Sequence, residues 1–451
     1  MRNIYKYVNY IQYLMDERQR NLLIKQNPWW RTEKQSLPEF ERDLVKKIVD
    51  YLNYKQILAI VGLRRVGKTI ILKQIIQRKV NAPKNNLCYI SFDDIDFQDY
   101  RLAEELINYF LEYSDNTKKR YLFLDEIQKV PHWADLLKTY YDIEENLKII
   151  ISGSASLEIN TDKETLAGRI LTFHLPVLTF KEYCRYHNLD HSIQLKSIIR
   201  DYDLNFSHKK ERYKELFNEY LIKGAFPELL DIPLTKEEYI KKYVKESVVE
   251  KSIADIARLT KENEKVIYDL FKLLAHSNAR LFEIVNLSNV LKINRNKTSK
   301  YLHLLEKSFL IKISYNFTAS VAKQIRASKK QYLAHSTIVI SMLNYPFNSI
   351  QTEIAGHLVE GVLATNFEQA SFWRTPQKDE VDIVTAEGIP IEVKYQSHIT
   401  PSDQKNILKF SNKFNTNKGI LLTKDHLDKQ VIDDTEITRI PSWLFLLTQK
   451  N

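Results

Sequence analysis

Eight residues limit the folds open to this chain more than any others. Gly62-Leu-Arg-Arg-Val-Gly-Lys-Thr69 fits the phosphate-loop pattern G-x-x-x-x-G-K-[ST]. Gln56-Ile-Leu-Ala-Ile-Val61 before it reads as a buried strand, and Thr69-Ile-Ile-Leu-Lys-Gln-Ile-Ile76 after it reads as a helix. A strand that turns through such a loop into a helix belongs in a sheet wrapped by helices. The spacing also carries chemistry. Gly62 and Gly67 let the backbone curl so that successive N–H groups converge on phosphate oxygens. Lys68 brings a cation to the outer phosphates, the Thr69 hydroxyl suits magnesium, and the positive end of the helix faces the same anion. Gly62, Leu63, Arg64, Arg65, Val66, Gly67, Lys68, Thr69 and Ile70 are therefore the expected nucleotide cradle.

A second strand agrees. Tyr121-Leu-Phe-Leu124 is apolar and ends in Asp125-Glu126. A carboxylate at the tip of a buried parallel strand is unfavourable unless it serves a metal. Asp125 is the expected partner of Thr69 around magnesium, and Glu126 suits the base that orients an attacking water. Further strands are expected at 87–92, 147–152 and 170–175, with helices between them, so 38–176 reads as a mostly parallel α/β core. Ser154 and Ser152, where the 147–152 strand ends, are placed either to sense a terminal phosphate or to cap a helix. Arg169, before the last strand, is placed either to reach a phosphate, in this subunit or a neighbouring one, or to lie on the surface beside Gly168.

Composition narrows the class. A length of 451 residues suits two or three domains, and 44% hydrophobic content is ample for real cores. No stretch approaches the roughly 20 apolar residues of a membrane helix. Met1 to Arg20 mixes aromatics with charges, reads as an amphipathic helix and does not resemble a secretory signal. Two cysteines, Cys88 and Cys184, exclude a disulfide framework and read as small core residues, so a cytoplasmic location is expected. The net charge of +10 favours an anionic partner, nucleic acid first, although the charge is spread along the chain.

Five segments follow: an N-terminal helical segment (1–37), the α/β core (38–176), a helical lid (177–255), a winged helix-turn-helix (256–318) and a second α/β domain (319–451). In the fourth, helices are expected at about 262–276 and 284–291, a turn at 292–296, and a third helix from Lys297 to Ser308. Tyr301, Leu302 and Leu305 form its buried face. The window 292–312 holds six basic residues, Lys292, Arg295, Lys297, Lys300, Lys307 and Lys312, against Glu306. That suits a helix entering a DNA groove, and equally a packing element between domains.

In the last segment a helix near 353–370 carries Glu360. Glu380-Val-Asp382-Ile-Val and Pro390-Ile-Glu392-Val-Lys394 read as a hairpin. Glu392 and Lys394 share a face, with Ile391 and Val393 turned into a core, and Asp382 sits beside Glu392 across the hairpin. Paired carboxylates make an oxygen-rich site for Mg²⁺ or Mn²⁺, completed by Glu360, with Lys394 activating a metal-bound water for phosphodiester hydrolysis. The alternative is an ordinary acid–base cross-strand pair, or a scaffold that binds without cutting.

Taken together, the phosphate loop, Leu124-Asp-Glu-Ile-Gln128, Ile151-Ser-Gly-Ser154, Leu166-Ala-Gly-Arg169, Gly224-Ala-Phe-Pro-Glu228 and Asn27-Pro-Trp-Trp30 resemble AAA-type ATPases of bacteria and archaea. These pair an N-terminal ATPase core with a winged helix and a C-terminal restriction-endonuclease-like, PD-(D/E)xK domain. The resemblance implies magnesium-dependent ATP hydrolysis with Lys68, Thr69, Asp125 and Glu126 in the usual roles. It also implies metal ligation at Asp382 and Glu392 beside Lys394, DNA as partner, and Asn27-Pro-Trp-Trp30 packed near the adenine. The helical lid offers no evident arginine sensor, so Arg169, or a partner subunit in a homo-oligomer, would carry that role.

Overall fold

A computed structural model describes residues 15–31, 35–154, 165–189, 194–199, 202, 207–318, 324, 327–351 and 354–448. The expected helix over residues 1–20 lies mostly outside them. Within them α1 (Glu17–Gln26) starts at Asp16, whose side chain accepts from the Gln19 N–H. The chain divides into two compact units, between Pro176 and Val177.

The first unit is built on a five-stranded sheet of order β2-β3-β4-β1-β5. Its strands are β1 (Ile57–Val61), β2 (Leu87–Ser91), β3 (Arg120–Asp125), β4 (Leu147–Gly153) and β5 (Ile170–His174). All pairings are parallel. The strands match the apolar runs because both faces are covered, and β1, β3 and β4 are buried along their whole length. The covering helices are α2 (Leu44–Asp50), α3 (Lys68–Arg78), α4 (Tyr100–Tyr113) and α5 (Trp133–Ile143). β1 ends where the phosphate loop begins, and β3 and β4 deliver Asp125 and Ser154 to the same sheet end.

The second unit opens with α6 (Phe180–Tyr186), α7 (Lys210–Lys223) and α8 (Glu237–Lys242). A π-helical stretch, Tyr243–Glu250, joins α8 to α9 (Lys251–Thr260). Next come α10 (Glu264–His276), β6 (Arg280–Phe282), α11 (Ile284–Leu291), α12 (Arg295–Lys307), β7 (Ile311–Ser314) and β8 (Lys329–Leu333). The three strands pair antiparallel in the order β6-β8-β7. The turn between α11 and α12 is shorter than expected. Asn294 accepts from the Lys297 N–H and caps α12, so Arg295 and Asn296 already belong to its first turn.

α13 (Ser336–Leu343) and α14 (Ile354–Thr365) lead into a six-stranded sheet of order β13-β14-β12-β11-β10-β9. Its strands are β9 (Ala370–Arg374), β10 (Glu380–Thr385), β11 (Pro390–Lys394), β12 (Lys418–Thr423), β13 (Asp428–Ile432) and β14 (Thr435–Pro441). α15 (Lys405–Phe414) joins β11 to β12, and α16 (Ser442–Thr448) closes the described chain. β10 and β11 pair antiparallel with Ile383 opposite Ile391, which puts Asp382 opposite Glu392. Ile391 is buried, but Val393 is only half-buried while Glu392 is buried, so the hairpin's polar face is the more enclosed of the two at this point. Cys88 and Cys184 are both buried thiols.

Candidate functional site

The nucleotide site is assembled from the ends of β1, β3 and β4. Gly67 has φ 101°, a left-handed conformation open to glycine, and it turns the chain into α3. Arg65 and Glu126 are also left-handed, with φ 67° and 55°. Such strain at non-glycine residues gathers at sites that use it. Gly62 is required for a different reason from the one its motif suggests. A Cβ there would lie 2.3 Å from the Leu175 carbonyl oxygen, so it is close packing against the strand-end backbone that demands glycine. Leu63 and Val66 are buried and anchor the loop from below, while Arg64 is half-buried and Arg65 and Ile70 face outward.

Lys68 is buried at the start of α3, and its ammonium donates to the carbonyls of Gly62 and Leu63, each at 3.0 Å. Thr69 Oγ1 donates to Asp125 Oδ2 at 2.7 Å, so the hydroxyl and carboxylate expected to share magnesium meet at one point. Tyr89 also donates to Asp125 Oδ2, at 2.8 Å, and Ser152 donates to Oδ1. Three hydroxyls therefore orient one carboxylate. Burial, and then the charge of Asp125, push the Tyr89 phenol well above its ordinary range, so it remains a donor. This arrangement suits a hard divalent cation, because a carboxylate and hydroxyl oxygens meet at the point.

Glu126 stands beside this group. Burial raises its pKa, and the Lys68 charge opposes that rise. Gln128 Nε2 donates to Glu126 Oε2 at 2.6 Å and lies 3.5 Å from Ser154 Oγ, so Ser154 joins the network at the sheet end. Arg42 was not legible as a site residue. It is buried, and its guanidinium donates to the carbonyls of Val66 (2.7 Å) and Pro176 (2.9 Å), bracing the loop.

Two expectations are corrected. Arg169 is at the wrong end of the sheet to reach a phosphate in its own subunit. Its carbonyl accepts from the Ile57 N–H at the start of β1, whereas the loop follows Val61. Five strand residues separate those ends by about 16 Å. The Arg169 guanidinium instead pairs with Asp142 at 2.9 and 3.3 Å. Asn27-Pro-Trp-Trp30 covers the exposed edge of β2. The Asn27 amide donates to the Tyr89 carbonyl (2.8 Å) and accepts from its N–H (2.7 Å), and the indoles of Trp29 and Trp30 donate to the Leu87 carbonyl at 3.0 and 2.8 Å.

In the second unit Asp382 lies near both Glu360 and Glu392, but a cation already stands between Asp382 and Glu360. Lys330, from β8, is buried, with its ammonium 2.6 Å from Glu380, 2.9 Å from Glu360 and 3.4 Å from Asp382. Tyr332 donates to the same Glu360 oxygen at 3.1 Å. Asp382 also accepts from the Val393 N–H at 2.9 Å, and Lys394 donates to Glu392 Oε1 at 2.6 Å. Burial opposes a charge on Lys330, but Glu360, Asp382 and Glu380 hold it charged, with its pKa well above the lysine range. Burial, then the charge of Asp382, raises the pKa of both Glu360 and Glu392. The metal site expected at Asp382 and Glu392, with Glu360 completing it, thus has an ammonium group between Glu360 and Asp382, and these residues as arranged do not fit a divalent ion. Among the described residues no three His, Cys, Asp or Glu side chains gather in a metal-holding group.

The basic face of α12 is also less free than its sequence suggests. Glu262 pairs with Lys300 at 2.7 Å and Lys297 at 3.4 Å, and accepts from Tyr301 at 2.8 Å. Lys312 turns inward and donates to the carbonyls of Ala364, at 3.0 Å, and Phe367. Lys292, Arg295, Ser299 and His303 are exposed. No helix among the described residues is long and apolar enough to cross a membrane.

Comparison with known proteins bears on each unit. Residues 54–184 match the family described as an AAA domain. Residues 214–348 and 348–443 match two families described only as domains of unknown function, DUF8612 and DUF4143. Two proteins of Methanocaldococcus jannaschii are similar over most of their length. Uncharacterized protein MJ1637 is 26% identical over 408 residues, covering 85% of this chain and 84% of the relative. Uncharacterized protein MJ1544 is 28% identical over 434 residues, covering 90% and 91%. Among solved structures, the Aeropyrum pernix ORC1 protein in complex with DNA is 13% identical, covering 71% of this chain and 96% of that one, with a TM-score of 0.30. The phosphate loop, Asp125 and the five-stranded parallel sheet all fall within the first match, and residues 54–184 are an AAA-type P-loop domain.

Proposed function

We propose that the first unit binds and hydrolyses ATP with magnesium, and that its nucleotide state governs what the second unit does. The observation that carries this reading is the 2.7 Å hydrogen bond from Thr69 to Asp125, made directly beside Lys68 at the start of α3. Backbone N–H groups of residues 62–69 cradle the phosphates, and Lys68 offsets charge on the outermost ones. Thr69 and Asp125 hold magnesium, which when bound supplies charge stabilisation to the phosphate oxygens. Tyr89 and Ser152 keep the Asp125 carboxylate turned toward that point. Glu126 orients the attacking water, and Gln128 fixes the carboxylate that does so. Lys68→Ala is expected to lower ATP turnover about a hundredfold or more. Undiminished turnover in a folded Lys68→Ala protein refutes the assignment.

For the second unit we read α10–α12 with the β6-β8-β7 sheet as a winged helix. The six-stranded sheet with α14 and α15 is read as a nuclease-like scaffold, supported by the order α14-β9-β10-β11-α15-β12. DNA is the proposed partner, contacted by Lys292 in the turn before α12 and by Arg295 at its exposed start. The nuclease reading needs divalent ions at Asp382 and Glu392, and Lys330 stands against it. Plasmid and single-stranded DNA incubated with ATP and Mg²⁺ or Mn²⁺ separate the readings. Binding without cleavage is expected, and cleavage lost in Glu392→Ala restores the nuclease.

A further inference from the structure

Lys330 lies on β8, in the small three-stranded sheet, yet its ammonium is buried against carboxyls from α14 and β10. Four carboxyls meet here, Glu360, Glu380, Asp382 and Glu392. Three cationic side chains stand against them: Lys330, Lys394 on Glu392, and Arg374 on Glu380. His357, on α14, also faces the Arg280, Lys330 and Asp382 charges, and burial, then the Arg280 charge, lowers its pKa. A buried carboxyl group is stable only with a partner, and here the partner is covalently part of the chain. One atom is left over. Glu392 Oε2 is buried without a hydrogen-bond partner, on the residue opposite Asp382. The cluster therefore has the oxygen groups for a cation but has one supplied from β8.

We propose that Lys330 is the resident cation of this cluster: its ammonium replaces a divalent metal, fastens β8 to α14 and β10, and excludes divalent ions for as long as it is there. Removing the ammonium leaves the Glu360, Glu380 and Asp382 oxygens that now surround it, with the unpartnered Glu392 oxygen beyond Asp382, as hard oxygen donors without their cation, the kind that takes Mn²⁺ or Mg²⁺. Lys330 is thus a lock in two senses. It is electrostatic glue between the two sheets of the second unit, and it keeps a metal-capable cluster metal-free.

The test is a count of Mn²⁺ bound to the full chain without nucleotide, read from the paramagnetic resonance signal of the free ion. Wild type and Asp382→Asn are expected to bind the same number. Lys330→Met is expected to bind one ion more than wild type and to lose it in the Lys330→Met/Asp382→Asn double variant. Lys330→Met is also expected to melt about 10 °C lower without metal and to recover more on adding Mn²⁺ than wild type gains from the same addition. A folded Lys330→Met that gains no ion overturns the proposal. So does a wild type that binds one ion more than Asp382→Asn. Should Lys330→Met fail to fold, that wild-type comparison decides alone, with equal counts supporting the proposal and an extra wild-type ion overturning it. ATP turnover is a separate measurement, so failure of the phosphate-loop assignment leaves these counts unaffected.

Discussion

Asp125 receives donors from Thr69, Tyr89 and Ser152, and only Thr69 belongs to the phosphate-loop motif. Tyr89 can be tested most cleanly, because phenylalanine keeps the ring and removes only the hydroxyl. Groups that orient a metal-binding carboxylate contribute about 10–100-fold to metal affinity or activity. Tyr89→Phe is therefore expected to raise the Mg²⁺ concentration giving half-maximal ATP turnover about tenfold, with a smaller effect on turnover at saturating Mg²⁺. An unchanged Mg²⁺ requirement means that the phenol does not position Asp125. The two kinds of residue also differ in legibility. Thr69, Asp125 and Glu126 could be read from local pattern, since each sits at a fixed offset from a strand end. Tyr89, Arg42 and Lys330 could not. Each acts across 24 or more residues, on a group whose position only the folded chain defines. Arg169 stayed open between a phosphate contact and a surface position for the same reason: a loop arginine beside a glycine gives no sign of which end of the sheet it occupies.

At the scale of elements, the edge of β2 shows how side chains complete a sheet. Asn27 is fully buried and uses both halves of its amide on the Tyr89 backbone, while Gln26 Oε1 accepts from the Ser91 N–H at 2.8 Å. These amides do the work of a sixth strand and shield an edge that otherwise invites pairing with another chain. Asn27→Ala strands two backbone groups, each costing about 1–3 kcal/mol when left unpaired. A loss of about 2–4 kcal/mol in the stability of the first unit is expected by urea unfolding, and Asn27→Asp, which sets a second acceptor oxygen against the Leu23 and Tyr89 carbonyls, is expected to lose at least as much. Equal stability of all three proteins would rule out the edge-capping role. The buried strands β1, β3 and β4 were legible because burial on both faces leaves continuous apolar runs. β13 and α16 were not. β13 is an edge strand exposed at Asp428, Lys429 and Val431, so it lacks a core-facing run, and Ser-Trp-Leu-Phe-Leu-Leu-Thr in α16 is too short and too uniformly apolar to separate helix from strand.

For the whole molecule, a net charge of +10 says little until its placement is known. In the second unit much of the basic α12 window is already engaged, since Glu262 holds Lys297 and Lys300 and Lys312 faces inward. Hydrogen bonds from Lys300 and Tyr301 pull the Glu262 pKa down to about 2. A depressed carboxyl pKa means the ion pair is complete at higher pH and is lost only on acidification toward that value. Between about pH 5 and 8 the clamp therefore stays closed, and DNA affinity should show no step arising from Glu262. Replacing the carboxylate is the way to open it. Each lysine released onto a phosphate adds about 0.9 to the slope of log affinity against log salt. Glu262→Gln is expected to bind duplex DNA more tightly at low salt and to steepen that slope by about one to two, while Arg295→Ala weakens binding and flattens it. Fluorescence anisotropy across a potassium chloride series measures both. If Glu262→Gln and Arg295→Ala both bind with the wild-type slope, α12 does not face DNA, and the excess positive charge of this chain serves some other surface.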